Sequence, residues 1–333
     1  MKNFFNYCLR LIVKLALNIY FGKIIVEGKK FIPKDKAVLI VCNHQNALID
    51  PILIATNTNL RPHFLTRASV FRQSFIAKLL NYIRMVPIYR VRDGVKNMEK
   101  NQETFDKSVD VLLNKGSMLI FGEGSHSTLR NLRPLKKGFA RIAYQALEKN
   151  PELDLVILPV AINFSNHLHS GSRVRITFGE TLNPKIHFPN FDALIKATYT
   201  ALDQLVVTIP DQEYEEDLTA LIAHDVDLTS KDKVDQFLAK SSSSKGKTQK
   251  SYLRNKLMKL FHLPLYWLWL WLEPKIEDPA FKATFKFIIG LVGVPVWYLA
   301  LYFTLSTIGH QDWAISFLFL AMIFLLANRN GQQ

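Results

Sequence analysis

Cysteine is scarce in this 333-residue chain, which has only Cys8 and Cys42. Cys8 lies in an apolar segment and Cys42 closes an apolar run, so no disulfide framework is expected. No metal site is expected either, since no Cys or His pairs stand at ligand spacing. Acidic residues are also few, 28 against 42 Lys and Arg, for a formal net charge of +14. That excess implies an anionic partner, either nucleic acid or a lipid surface. The basic clusters lie beside apolar stretches and no RNA-reading or zinc-finger pattern accompanies them. The expected partner is therefore an anionic bilayer and not nucleic acid. Two catalytic signatures are missing, the Gly-x-Ser-x-Gly of a nucleophile elbow and the phosphate loop ending in Gly-Lys-Ser/Thr. No small-residue cleavage site follows the N-terminal apolar run, so no removed signal peptide is expected and the main body is expected on the cytoplasmic side.

What is present is apolar: hydrophobic residues make up 49% of the chain. Residues 2–22 carry Phe4, Phe5, Leu11, Ile12, Leu15 and Ile19 near helical spacing, with Lys2, Arg10 and Lys14 between them. Three charges in so short a run predict a helix in the membrane interface, or one packed on the core, rather than a span. From about 24 to 180, strand and helix patterns alternate. Strands are predicted at Ala37–Cys42, His63–Thr66, Met85–Val91, Ser117–Phe121, Leu153–Ile162 and Arg173–Phe178. Helices are predicted at Phe71–Ile83, Lys96–Lys115 and Gly138–Glu148. This is the signature of an α/β fold, a central mostly parallel sheet flanked by helices with working loops at strand ends. Two or three helices follow over 190–240, the middle one acidic.

A boundary comes next. Seven Lys or Arg and no acidic residue lie between Lys240 and Lys259, around the run Ser241–Ser244. This composition suits a flexible linker or a polybasic strip ahead of Trp267, Trp269 and Trp271, residues that favour the headgroup level of a bilayer. Phe285–Thr307 is apolar and of spanning length, while Trp313–Ala327 is short for a span. Lys275, Lys282, Lys286 and Arg329 flank these runs, and the loop between them has no Lys or Arg, so both ends of the hairpin are expected in the cytoplasm. The expected division is an N-terminal membrane-associated helix (1–23), a catalytic domain (24–230), a basic linker (231–258) and a membrane-anchoring region (259–333).

Three clusters carry the chemistry-bearing side chains. Asn43-His44 to Asp50-Pro51 follows the first apolar strand. A strand-end histidine oriented by a carboxylate is a general-base arrangement, but Asp50-Pro51 is equally a good helix start. Phe121-Gly122-Glu123-Gly124-Ser125-His126 follows another apolar strand, and its glycines admit close backbone approach. Arg130, Arg133, Lys136 and Lys137 come just before a helix opening at Gly138, forming either a phosphate cradle or a solvated basic loop. Lastly, Arg90 closes the run Val86-Pro87-Ile88-Tyr89.

Together these blocks resemble the phospholipid/glycerol acyltransferases, which include lysophosphatidic acid and glycerol-3-phosphate acyltransferases. The resemblance covers about residues 25–180. Asn43-His44 to Asp50 is similar to the family's His-Asp block, and Val86 to Arg90 to its phosphate-binding block. Phe121 to His126 resembles its Phe-Pro-Glu-Gly-Thr-Arg, and Leu158-Pro159-Val160-Ala161-Ile162 its fourth block. The resemblance implies a glycerol-phosphate acyltransferase-like fold, with His44 and Asp50 catalytic. It further implies that Asn43, Arg90, Glu123, Gly124, Ser125, Arg130, Arg133, Lys136 and Lys137 surround the substrate. No cofactor or metal is implied. The acyl donor is a thioester of coenzyme A or acyl carrier protein, and the enzyme is membrane-bound.

Two departures stand out. Five residues rather than the family's usual four separate His44 from Asp50, a spacing that resembles some members acting on glycerol 3-phosphate or dihydroxyacetone phosphate. Gly122 and His126 replace the third block's Pro and Arg, leaving Arg130 or Arg133 as the expected phosphate ligand. The leading expectation is acylation of 1-acylglycerol 3-phosphate to phosphatidic acid. The runner-up is the first acylation, and a catalytically silent membrane-binding protein of the same fold is the third. Cys42 is not expected to be a nucleophile, because a strand-end Cys is readily a core residue.

Overall fold

The computed structural model describes residues 2–71, 73–89, 101–240 and 252–327. These build a 7-stranded sheet in the order β1-β7-β6-β2-β5-β3-β4. The strands are β1 Lys23–Glu27, β2 Ala37–Cys42, β3 His63–Arg67, β4 Met85–Ile88, β5 Ser117–Phe121, β6 Leu155–Phe164 and β7 Arg173–Phe178. Every neighbouring pair is parallel except β6–β7. The unbroken apolar runs of β2 and β6 are explained by burial on both faces, as parallel strands require. On β2, Ala37, Leu39 and Val41 face a core shared with α4 (Asn101–Leu113), α5 (Gly138–Lys149) and α6 (Phe191–Asp203). Val38, Ile40 and Cys42 face a second core with α1 (Lys2–Tyr20) and α2 (Ile49–Asn57). On β7, Val174, Ile176 and Phe178 point inward, while Arg173 and Arg175 reach Asp227 at 3.5 and 3.6 Å.

The predicted strands agree with these to within two residues, except that Val91 lies outside the described residues and β1 was not singled out. The predicted helix at Phe71–Ile83 is a 3-10 turn, Ala68–Phe71, followed by α3, Ser74–Tyr82. The start of the predicted Lys96–Lys115 helix, Arg90, most of the basic strip and Arg329 lie outside the described residues. The expected linker is helical at both described ends. α8, Lys231–Ala239, buries Val234 in a small third core, and α9 runs over Tyr252–Phe261. Between α6 and α8, the acidic middle helix is α7, Tyr214–Ala223.

The N-terminal helix divides its faces. Leu17 is fully buried in the second core, whereas Phe4, Tyr7, Leu11, Ile12 and Leu15 are exposed. α10 is Leu263–Leu272. Beyond it, Pro279–Thr307 is one continuous helix, long and apolar enough to cross a membrane, and its most apolar stretch is unburied. Its first two turns belong to the sheet, since Ala283 and Phe287 are buried in the second core. From Ile289 onward it extends about 28 Å at ~1.5 Å per residue, close to the ~30 Å apolar thickness of a bilayer. Gln311–Ala327 is a shorter apolar helix beside it. Phe317 and Phe324 of that helix pack on Phe261 of α9 at 5.0 and 5.1 Å between ring centroids.

Two substitutions test this architecture. Gly28 has φ +70°, and a Cβ there would lie 1.9 Å from the Phe178 carbonyl oxygen. Gly28→Ala should therefore cost more than the ~1–2 kcal/mol of a left-handed residue alone, read as a drop in denaturation midpoint. Phe287→Ala should cost about 3–5 kcal/mol, as for a core aromatic. A loss below ~1 kcal/mol would mean that the long helix is only tethered to the sheet.

Candidate active site

β2 and β5 lie side by side at the centre of the sheet, and the loops after them meet at their carboxyl ends. Asn43 fastens the end of β2. Its Nδ2 donates to the Ile162 carbonyl at 3.0 Å and its Oδ1 accepts from the Ile162 N–H at 2.8 Å. Being buried and fully engaged with β6, it is a strand clasp rather than the expected substrate ligand.

His44 comes next. Its Nδ1 lies 2.8 Å from Asp50 Oδ2. Because a carboxylate only accepts, Nδ1 carries the proton and Nε2 is the basic nitrogen. Asp50 is fully buried, and the same Oδ2 also accepts from the N–H groups of Gln45 and Asn46, each at 2.8 Å. α2 begins at Ile49 with Leu48 at its cap, so Asp50 occupies the first turn instead of capping it. Five intervening residues are thus accommodated. The imidazole lies flat on Phe121, centroids 3.7 Å apart and planes within 8°. It keeps 11% of its side-chain surface exposed, so the ring is not sealed from solvent.

Glu123 has a paired role that the sequence did not disclose. Its carboxylate accepts from the His44 N–H at 3.1 Å and from Arg133 Nε at 2.6 Å. Burial pushes this carboxyl above its ordinary range, although Arg133 and the two N–H donors pull it down. Arg133 also donates to Ser125 Oγ at 2.9 Å and to the Ser125 carbonyl. The turn between them needs Gly124, whose φ is +75°. Arg133, Glu123 and Ser125 thus form one polar group against the histidine loop.

Arg130 does not join it. Its guanidinium is buried, donating to the carbonyls of Phe164 and of Ser165, the latter at 2.8 Å. The expected role in phosphate binding fails because those donors already tie down the end of β6. Lys136 is exposed beside Gly124, and Lys137 is exposed with Asp192 3.4 Å away. Cys42 is fully buried, and burial together with Asp50 and Glu123 pushes its thiol up, which disfavours the thiolate a nucleophile needs.

The sequence reading missed what the C-terminal region brings. His126 Nε2 lies 2.5 Å from Asp278 Oδ2, and its ring stands edge-on to His44 with centroids 5.6 Å apart. Phe281 packs on the other side of His126. The Ala47 N–H donates to the Ala280 carbonyl at 3.3 Å, and the Leu48 N–H to Thr284 Oγ1 at 3.2 Å. The only available signal was His126, noted as a departure from the family pattern. Nothing in the sequence joins it to a residue 152 positions away.

Near Arg130, burial, that guanidinium and His169 hold the His167 imidazole at about 4. Because the folded chain disfavours the protonated ring, His167 contributes stability above its ordinary pKa of about 6.5. That contribution, at most about 3 kcal/mol, is lost as pH falls from about 6.5 to 4. Melting in detergent across this window should show the loss, and His167→Gln should flatten it.

The acyltransferase family model matches residues 23–163, which span β1 through most of β6 and include both loops. A 1-acyl-sn-glycerol-3-phosphate acyltransferase of Borreliella burgdorferi is 26% identical over 204 residues, covering 61% of this chain and 75% of that protein. Glycerol-3-phosphate O-acyltransferase 1 of Saccharomyces cerevisiae is 31% identical over 105 residues, 28% of this chain but 14% of that protein. Among solved structures, the chain is similar to the 1-acyl-sn-glycerophosphate (LPA) acyltransferase PlsC of Thermotoga maritima, with a TM-score of 0.48 and 21% identity, covering 61% of this chain and 78% of that one. The part of the chain that matches the acyltransferase family model, residues 23–163, is the part that holds the His44–Asp50 pair and the Glu123 loop.

Proposed function

We propose that the chain transfers a fatty acyl group from a thioester to the free hydroxyl of 1-acylglycerol 3-phosphate, giving phosphatidic acid in phospholipid synthesis. The observation that carries this reading is the His44 Nδ1–Asp50 contact at 2.8 Å. It fixes the tautomer and makes Nε2 a base. In the reaction Nε2 takes the acceptor hydroxyl proton as the oxygen attacks the thioester carbonyl. The new C–O bond forms, the C–S bond breaks, and the imidazolium returns the proton to the departing thiolate. Asp50 stabilises the imidazolium. No acyl-enzyme is required, which suits a buried, high-pKa Cys42.

The acceptor phosphate is assigned to the basic side of the site. Arg133, 30% exposed and held by Glu123 and Ser125, presents a fixed cation, and Lys136 lies beside Gly124 just ahead of α5. Arg90 is assigned to the same phosphate on its sequence position alone. The donor is a thioester of coenzyme A or acyl carrier protein, and no metal or further cofactor takes part. Location matches the chemistry, because the product stays in a bilayer. The long C-terminal helix, the exposed apolar face of α1 and the basic strip hold the catalytic domain on the cytoplasmic membrane surface.

A second reading, acylation of glycerol 3-phosphate or dihydroxyacetone phosphate, is favoured by the five-residue His44–Asp50 spacing and by the local likeness to the yeast protein. Purified chain offered each acceptor with both donor types separates the readings. Turnover of the 1-acyl acceptor well above the others is expected, and preference for an unacylated acceptor would replace the first reading with the second. His44→Ala and Asp50→Asn should each lower kcat by about 10²–10⁴-fold. Full activity of His44→Ala would refute the catalytic assignment. Inactivity of the unaltered chain across the panel would leave a membrane-binding protein on an acyltransferase fold.

A further inference from the structure

From Lys286 onward the long helix borders, with α1, α9, α10, the 169–171 loop and Gln311–Ala327, a cavity of about 940 Å³. None of its lining residues belongs to the site described above. Its wall is apolar, with Ile12, Leu15, Leu265, Trp269, Val294 and Met322 among the lining residues. That volume lies at the upper end of ligand sites, which are typically ~300–1,000 Å³.

The charged residues of this wall are Lys259, Lys286 and Glu273, a net positive set, with neutral polar groups such as Ser170 and Tyr298 beside them. Lys286 is half-buried, donates to the Leu168 carbonyl at 3.0 Å and lies 4.7 Å from the Trp269 ring centre. Lys259 lies 4.7 Å from the Tyr266 ring centre and within electrostatic reach of Lys286. Glu273, the carboxylate in the wall, is paired with Lys282 at 3.2 Å. Among the described residues neither Lys259 nor Lys286 has a carboxylate within ion-pairing distance. His169 adds no charge near neutral pH, since burial and Lys286 hold its imidazole below the ordinary value. Two ammonium groups therefore border an apolar cavity in the region where the chain meets a bilayer. Charge held in such surroundings is costly and marks a functional site, and basic pockets between membrane helices bind anionic headgroups.

We propose that this groove binds one anionic phospholipid of the membrane, its phosphate on Lys286 and Lys259 and its acyl chains along the wall of the cavity. The inference rests on the membrane anchoring proposed above and not on the acyl-transfer reaction. A bound lipid would clamp α1 to the C-terminal helices, and so would steady the Asp278–Thr284 turn against the histidine loop.

The full chain is placed in nanodiscs of equal phosphatidylglycerol and phosphatidylcholine, and the lipid retained after ejection is identified by native mass spectrometry. Retention of about one phosphatidylglycerol per chain is expected, favoured about 10-fold or more over phosphatidylcholine. Joint Lys259→Gln and Lys286→Gln should abolish that preference, and Lys286→Arg should keep it. Gly290→Trp supplies an independent variant that retains both lysines. Gly290 borders the cavity and a Cβ there meets nothing within 4 Å, so the ring should fill the groove and expel the lipid. Equal retention of the two lipids, undiminished preference in the double variant, or displacement by millimolar inorganic phosphate would each overturn the proposal. Failure to enter the discs would overturn the anchoring as well, whereas entry without selectivity would overturn the lipid site alone.

Discussion

A carboxylate with no access to water governs the end of the sheet where His44 sits. Burying Asp50 is tolerable only if donors surround it. Its Oδ2 collects three: the imidazole Nδ1–H of His44 and the backbone N–H groups of Gln45 and Asn46, each at 2.8 Å. To supply them, the loop after β2 must curl around the first turn of α2. That curl aims the imidazole and selects its tautomer, and it takes up the additional residue between His44 and Asp50. Phe121 then closes one face of the ring, and Glu123 holds the loop by its backbone.

Two arginines three positions apart show how much the local path of the chain decides. Arg130 turns inward, where its donors satisfy carbonyls at the end of β6, so its charge has a structural use. Arg133 turns toward the site, where Glu123 and Ser125 orient it. Side-chain type and sequence position are nearly the same for both. The difference arises because one guanidinium meets backbone carbonyls at the end of β6 and the other meets a buried carboxylate that itself needs a cation.

The C-terminal region contributes to the same place. The long helix buries Ala283 and Phe287 in the second core before it leaves the sheet, and its leading turn donates Asp278, Ala280 and Thr284 to the histidine loop and to His126. A helix that served only as an apolar span would need none of these contacts. The long helix and the geometry around His44 are therefore mechanically joined, and the cavity that the same helix borders further along lies on that connection.

The sequence alone determined six of the seven strands; those covered on both faces must be continuously apolar, and β2, β5 and β6 are legible from that property, whereas β1 is not. It also disclosed the His44–Asp50 pair and the Glu123 loop, since these follow apolar strands within a few residues and fit a family pattern. It did not reveal that Asn43 is a clasp, that Arg130 is interior, or that α8 and the start of α9 replace part of a linker. Still less could it reveal that Asp278 meets His126. Those outcomes depend on which polar groups are left wanting once the sheet has closed and distant segments have docked, and hydrogen-bond demand of that kind arises from three-dimensional neighbours rather than from spacing along the chain.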